Sequence, residues 1–238
     1  MPRQPYLKVV PNPKGAVIEV STKAIGERPE LETLVGNCLM AWPHVEAEMA
    51  LLLGQLLGTE NAAAIAVFQA LRQSRSQRDL ISEAAKVSLS DPDQELLAAI
   101  LNLHKSVEAE RNSLTHGHFG TSTKIADGII WMNSADYVAI RSNITLAPTP
   151  TWNDAKHMKL LSTISVYKAA DLTTIFEDMI EVANSWFNLV IYLRSPIHDR
   201  IRADRYRQLC DRPHIARELK ILRQKNNPSS QPQPTAPK

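Results

Sequence analysis

Apolar residues recur at intervals of three and four positions along the first quarter of the chain. From Leu31 to Leu56 they form one continuous stripe, which predicts a long helix with a single buried face. Pro43 lies inside the stripe and is expected to kink this helix, because proline cannot donate the backbone hydrogen bond of a helix interior. Gly58 follows the last apolar position and is expected to end the helix.

Shorter stripes with the same spacing predict four more helices, over about 61–72, 77–88, 92–116 and 169–193. Gly117 directly follows the third of these. We expect it to adopt the left-handed conformation that closes many helices, since glycine carries no Cβ to oppose it.

The pattern is different over 118–167, where apolar and polar residues alternate or β-branched residues are frequent. The stretches with this pattern are HFGTST, GIIWM, YVAIRSNITL and KLLSTISVY. This pattern predicts three or four short antiparallel strands, with turns at Asp127–Gly128 and Asn133–Asp136. Residues 1–28 are expected to form an extended arm that contains one short strand, AVIEV. Together these elements predict a mainly α fold, an up-and-down helical bundle over 29–193 with a small antiparallel β insertion.

Charge is unevenly distributed along the chain. The net charge of +2 over 238 residues is that of neither a basic nucleic-acid binder nor an acidic tail protein. The segment 194–225, however, carries ten Lys and Arg against four Asp and Glu, which indicates contact with a polyanion or a partner protein. A solvated, partly helical segment is the alternative. Residues 226–238 have almost nothing to bury and are expected to be disordered. Within 194–225, the candidate residues for binding a nucleic acid or a partner protein are Arg200, Arg202, Arg205 and Arg207.

The sequence gives little support for a metal site, a cofactor site or a membrane-spanning segment. Cys38 and Cys210 are the only cysteines, and neither they nor the pair His116 and His118 lie in a metal-site spacing. We therefore expect no metal and no cofactor. The first residues lack the apolar core of a signal peptide, and no apolar run reaches the roughly 20 residues that span a bilayer. These features predict a soluble cytoplasmic protein with no membrane partner.

One polar cluster lies where the buried face of the 92–116 helix should continue. On a helical wheel His104, Glu108 and Arg111 fall within the arc of the apolar stripe. Burying a lone guanidinium costs several kcal/mol or more, so Arg111 needs partners. Glu108, three residues earlier, can meet it. The cluster is therefore either an ion pair that fixes helix packing or the edge of a ligand site or subunit interface.

His116 lies at the end of the same helix, where the negative end of the helix dipole favours a protonated imidazole. A group that exchanges a proton near neutral pH suits general acid or base catalysis. Asn112 lies four residues before His116 and shares a helix face with it.

The stretch RNSLTHG, Arg111 to Gly117, resembles the R-x(4–6)-H motif of the HEPN superfamily, a nucleotide-binding helical domain of higher eukaryotes and prokaryotes. Its ribonucleases typically have a polar residue, often Asn, directly after the Arg, as Asn112 is here. Arg207 and His214 also satisfy the bare spacing, but in a stretch interrupted by proline. The resemblance is tight over the motif and loose over 30–193.

The resemblance implies a metal-independent endoribonuclease that acts as a homodimer, with RNA as substrate and the ribose 2′-OH as nucleophile. His116 would be the acid and base, Arg111 would hold the scissile phosphate, and Asn112 would orient the His or the substrate. Members of the family commonly act as toxins or in phage defence, which implies an antitoxin or defence-system partner. The candidate supporting residues outside this set are His104, Glu108, Thr115 and Glu46.

The alternative hypothesis is a HEPN-like interaction module without catalytic activity. In that case the polar cluster would be structural, and the basic segment 194–225 would bind a protein or nucleic-acid partner.

Overall fold

Helices predominate in the structure, a computed structural model that describes residues 3–59, 61–146, 154–196 and 200–226. Among these residues there are eleven helices and five strands. In chain order they are β1 (Gln4–Pro5), α1 (Tyr6–Val9), β2 (Ile18–Val20), α2 (Thr22–Gly26), α3 (Pro29–Leu57), α4 (Asn61–Ala70), α5 (Ser74–Ser88), α6 (Asp91–His116), β3 (Gly117–Ser122), β4 (Ile125–Asn133), α7 (Ser134–Leu146), α8 (Asp154–Thr163), β5 (Ser165–Lys168), α9 (Ala169–Arg194), α10 (Arg200–Cys210) and α11 (Pro213–Asn226).

The mainly α prediction with a small antiparallel sheet is confirmed, and the five helices predicted from periodicity correspond to α3, α4, α5, α6 and α9. Helix α3 continues through Pro43 to Leu57. Gly58 follows it with a φ of 59°, a left-handed conformation that glycine adopts without steric cost. The predicted end of α3 is thus confirmed together with its cause.

The prediction for 118–167 is wrong for two of the expected strands and for both expected turns. The stretch YVAIRSNITL was expected to form a strand but belongs to helix α7, and most of KLLSTISVY lies in α8, with only its last residues in β5. The turn expected at Asp127–Gly128 lies inside β4. The turn expected at Asn133–Asp136 is instead a helix start, because Asn133 Oδ1 accepts a hydrogen bond of 2.9 Å from the Asp136 N–H.

Residues 1–28 do not form the extended arm that was expected. They contribute helices α1 and α2 and two strands, of which β2 is the predicted one. Both strands pair antiparallel with distant parts of the chain: β1 pairs with β5, and β2 pairs with β3. Local sequence could not show this pairing, because the partner strands lie more than 95 residues further along.

The five strands form one antiparallel sheet in the order β1-β5-β4-β3-β2. Strands β3 and β4 are joined by a tight turn and pair Gly117 with Asn133 and Phe119 with Trp131, with a register shift between Gly120 and Ser122. The first strand residue, Gly117, follows the last residue of α6 without a connecting loop. The sheet therefore begins where the sequence motif ends.

The chain divides into two compact units, and α3, α6 and α9 contribute residues to both. The first, here the sheet unit, comprises Met1–Trp42 and Val107–Ile180. Apolar side chains from the sheet, α1 and α8 form one of its cores. The buried members of that core are Tyr6, Val10, Ile125, Ile130, Met132, Leu161, Ile164 and Val166.

The second, here the helical unit, comprises Pro43–Ser106 and Glu181–Lys238. Its described part is entirely helical and includes α10 and α11, so the basic segment contains two helices. Both helices bury apolar residues, among them Leu209, Ile215 and Leu219. The tail predicted to be disordered, 226–238, lies outside the described residues except for its first. None of the helices described is long and apolar enough to cross a membrane.

Candidate functional site

The end of helix α6 is held by side chains from strand β4 and the start of α7. The last carbonyls of a helix have no partners within the helix and need others. Trp131 Nε1 donates to the Ser113 carbonyl at 2.9 Å, and Ser134 Oγ donates to the His116 carbonyl at 2.8 Å. Both donors come 18 residues after their acceptors. The backbone of the motif is thus fixed by the sheet that follows it.

Gly117 does not adopt the left-handed conformation that was expected. Among the described glycines only Gly15 and Gly58 have a positive φ, and Gly117 continues directly into β3. Glycine is needed at this position for a different reason, because a Cβ here would lie 1.6 Å from Trp131 Nε1. Gly117 therefore allows the indole to approach the helix end that it caps.

We expect Gly117→Ala to lower the free energy of unfolding by about 1–3 kcal/mol, the usual range when a group is forced into filled space. The measurement is urea denaturation followed by circular dichroism. Gly36→Ala is the matched control, because a Cβ at Gly36 meets nothing within 4 Å. Gly36 lies inside α3, so its replacement should raise stability by about 0.5–1 kcal/mol. Equal effects of the two substitutions would contradict the packing role assigned to Gly117.

Arg3, the residue directly before β1, lies against the indole ring of Trp131. Its guanidinium carbon lies 4.1 Å from the centroid of the indole ring, within the range of a cation–π contact. Tyr167, on β5, is fully buried nearby, and burial raises its pKa to about 12 in spite of the positive charge of Arg3. The first residues of the chain thus support the tryptophan that caps the motif helix.

Arg111 is half-buried, as the helical wheel predicts for a residue at the edge of the apolar stripe. Its Nη1 donates to Asn112 Oδ1 at 3.0 Å, and its guanidinium carbon lies 5.5 Å from the Trp42 ring centroid. Neither partner carries a charge. Arg111 is thus contacted by Asn112 and Trp42, and its expected pairing with Glu108 stays a prediction.

The other residues of the motif lie along the last turns of α6. Asn112 is half-buried, and its amide oxygen holds Arg111. Thr115 is exposed, and its hydroxyl donates to the Arg111 carbonyl at 3.0 Å. The His116 side chain is exposed at the helix end. The end of α6 thus carries an exposed imidazole, five residues after an arginine that contacts Asn112 and Trp42.

The supporting residues proposed from the sequence lie in different environments. Glu108 is buried in the sheet unit, in agreement with the helical wheel. His104 and the half-buried Glu46 belong to the helical unit. His104 is only 1% exposed, and its Nδ1 accepts a hydrogen bond of 3.4 Å from Trp186 Nε1. Burial, followed by the positive charge of Arg78, lowers the pKa of His104 to about 3.

This histidine should make the protein less stable as the solution becomes acidic. Above its ordinary pKa of 6.5 it is neutral in both the folded and unfolded states and has no effect. Below 6.5 only the unfolded state takes up the proton, so stability is lost until the pH reaches about 3. The variant His104→Asn keeps an acceptor for Trp186 but does not titrate. Between pH 7 and pH 5 the free energy of unfolding of the wild type should fall by about 2 kcal/mol more than that of this variant. Urea denaturation at both pH values measures this difference, and parallel curves would contradict it.

The basic segment contains arginines that stabilise the helical unit. Arg202 Nη1 donates to the Ser195 carbonyl at 3.0 Å, and Arg205 Nη1 donates to the Ile191 carbonyl at 3.1 Å. Both therefore satisfy carbonyls at the end of α9. Arg202 also pairs with the buried Asp93 at 3.5 Å. Of the four arginines proposed for polyanion contact, Arg200 and Arg207 are the exposed ones.

Two cavities lie in the sheet unit near the motif. The larger has a volume of about 530 Å³ and is lined mainly by apolar residues, among them Ile18, Met132 and Leu161. The smaller has a volume of about 280 Å³ and is lined in part by Gly117, His118 and Phe119, the residues that directly follow His116. We call it the motif-side cavity. Tyr137 borders both cavities and stacks on His118, with ring centroids 3.9 Å apart and planes inclined by 16°.

Comparison with protein-family models, with curated proteins and with solved structures found no match to this chain. The part of the chain that the structure describes contains no group of three or more His, Cys, Asp and Glu side chains placed to hold a metal ion. The function is therefore inferred from the local sequence motif and from the geometry around it.

Proposed function

We propose that this protein is a HEPN-type endoribonuclease, with Arg111, Asn112 and His116 as its reactive residues. The observation that carries the proposal is the end of α6, where an exposed imidazole lies five residues after an arginine held by Asn112 and Trp42. The mainly α fold and the position of the motif at the end of a long helix support this proposal. That the helices are arranged as in a HEPN bundle is also part of the proposal.

In the proposed reaction the ribose 2′-oxygen attacks the adjacent phosphorus atom. A bond forms between phosphorus and O2′, and the bond between phosphorus and the 5′-oxygen of the next nucleotide breaks. One imidazole removes the proton of the 2′-OH, and a second protonates the departing 5′-oxygen. The Arg111 guanidinium holds the phosphate oxygens, since its planar fork matches two of them at once.

The need for both a base and an acid favours two copies of the chain. One His116 could fill both roles only by alternating between them, whereas a homodimer with the motifs facing each other would supply one imidazole for each. We therefore include a homodimer in the proposal. In line with the family resemblance, the activity would serve as a toxin or in phage defence, under the control of an antitoxin or defence-system partner.

The chemistry is tested with a short 5′-labelled RNA and the purified chain in the presence of EDTA. Once the cleavage position is mapped, the ribose on its 5′ side is replaced by a 2′-O-methyl ribose in an otherwise identical RNA. We expect cleavage of the RNA to persist in EDTA and to stop at the modified position. Cleavage that needs a divalent cation, or that continues next to the 2′-O-methyl group, would overturn the mechanism. A dimer that cuts no RNA would point to the interaction module instead.

A further inference from the structure

The motif-side cavity lies directly beside the proposed reactive histidine. Gly117, which lines the cavity, is bonded to His116, so their Cα atoms are about 3.8 Å apart. The remaining lining comes from the end of β2, from Ser21 and helix α2, from β3 and from α7, all within the sheet unit. The β3 part of the lining therefore begins one residue after His116 in the chain.

The chemistry of the lining distinguishes among the parts of a nucleotide. Among the residues that the structure describes, no lysine or arginine lines the cavity, so these residues offer no cation to a phosphate group. It offers instead the stacked rings of His118 and Tyr137, together with the hydroxyl-bearing residue Thr22. The hydroxyl of Ser21, which also lines the cavity, already accepts from the Ala24 N–H and donates to Glu19. Flat π faces together with a few hydrogen-bonding groups suit an uncharged planar ring with polar edges.

The stacked pair His118 and Tyr137 gives the cavity a preformed platform. Their nearly parallel rings hold each other in place, so a third ring can extend the stack without first ordering flexible side chains. The volume of about 280 Å³ suits one heterocyclic ring system rather than a larger ligand. Single-stranded RNA is commonly bound through bases that stack on Tyr, Phe and His in this way.

From these observations we infer that the motif-side cavity is a nucleobase subsite, which takes the base of a nucleotide flanking the scissile phosphate by stacking on His118 and Tyr137. The inference rests on the proposed ribonuclease function and adds a source of sequence preference to it. It also assigns a role to the residue after Gly117, because His118 acts here as a stacking surface and does not take part in proton transfer.

The test compares substrates and variants in one cycle. In an RNA with a mapped cleavage position, the two flanking nucleotides are replaced in turn by an abasic ribonucleotide. For the wild type we expect one of these replacements to lower kcat/KM about tenfold or more, since stacking one base contributes that much. In Tyr137→Leu the kcat/KM for the intact RNA should fall to the value for the abasic RNA, and the kcat/KM for the abasic RNA should stay as it is in the wild type. Tyr206→Leu, in α10 of the helical unit, is the aromatic control and should retain the full base effect.

Each outcome separates the subsite from the function on which it rests. If the wild type cuts intact and abasic RNAs equally well, the subsite is overturned and the ribonuclease function stands. The same holds if the base effect survives both Tyr137→Leu and His118→Ala. Should Tyr137→Leu fail to fold, His118→Ala and the wild-type substrate comparison still decide the question. If the wild type cuts none of the RNAs, the proposed function fails, and the subsite fails with it.

Discussion

Replacing His116 by alanine should lower the rate of RNA cleavage by about 10²–10⁴-fold, the usual contribution of a general acid or base. His116 is exposed at the end of α6, and its backbone carbonyl, not its ring, accepts the hydrogen bond from Ser134. The substitution should therefore leave the melting temperature almost unchanged. Initial rates with a labelled RNA and a thermal melt of the same preparation measure both quantities.

His44→Ala is the matched control for this experiment. His44 is also an exposed histidine on a helix, but it lies in α3 and outside the motif. Its removal should leave the cleavage rate within a factor of two of the wild type, which is our threshold for no effect. Comparable losses in the two variants would show that the motif histidine has no special role. A loss in His116→Ala that accompanies a large fall in melting temperature would indicate a structural role.

Replacing Trp42 by alanine should cause the largest loss of stability predicted for the site. The side chain is 2% exposed, and truncating a buried tryptophan costs about 3–5 kcal/mol through lost apolar contact and the cavity left behind. The substitution also removes the ring next to the Arg111 guanidinium, a contact that contributes about 0.5–2 kcal/mol. Urea denaturation gives the change in the free energy of unfolding.

Trp42→Phe separates these two contributions. Phenylalanine keeps an aromatic face against Arg111 and most of the buried volume, so we expect it to lose less than half as much stability as Trp42→Ala. Trp42→Phe should also keep most of the RNA cleavage activity, because Arg111 retains a ring and its hydrogen bond to Asn112. If both variants lose stability equally, the aromatic contact does not orient Arg111.

The long helices could be predicted because their signal is local and repeated. In α3 and α9 an apolar residue returns every three or four positions over about six turns or more, and in α6 over the first half of the helix; the buried residues confirm these stripes. The same reasoning placed His104 and Glu108 on a buried face, where the structure has them. Helix α7 was mistaken for a strand because it is short and rich in β-branched residues, and because an Asn that caps a helix resembles an Asn in a turn.

The features that complete the site could not be predicted, because they join distant parts of the chain. Trp131 caps the motif helix from 18 residues downstream, and only that contact explains why position 117 is a glycine. The motif-side cavity joins Ser21 and Tyr137, which lie more than 100 residues apart in the sequence. The positive charge of Arg202 is evident from the sequence. Its hydrogen bond to a carbonyl at the end of α9 is not, because that contact depends on how the chain folds back. Local patterns indicated which residues are chemically suited to a site, and the fold determined what surrounds them.

The central claim is that RNA is cut by attack of the ribose 2′-oxygen at a site that needs His116. It is tested most directly by the products formed from one 5′-labelled RNA in EDTA, with the wild type and His116→Ala side by side. The account predicts fragments that end in a 2′,3′-cyclic phosphate with the wild type and almost none with His116→Ala. Fragments that end in a 3′-hydroxyl, or cyclic phosphate ends that form at the same rate without His116, would contradict it.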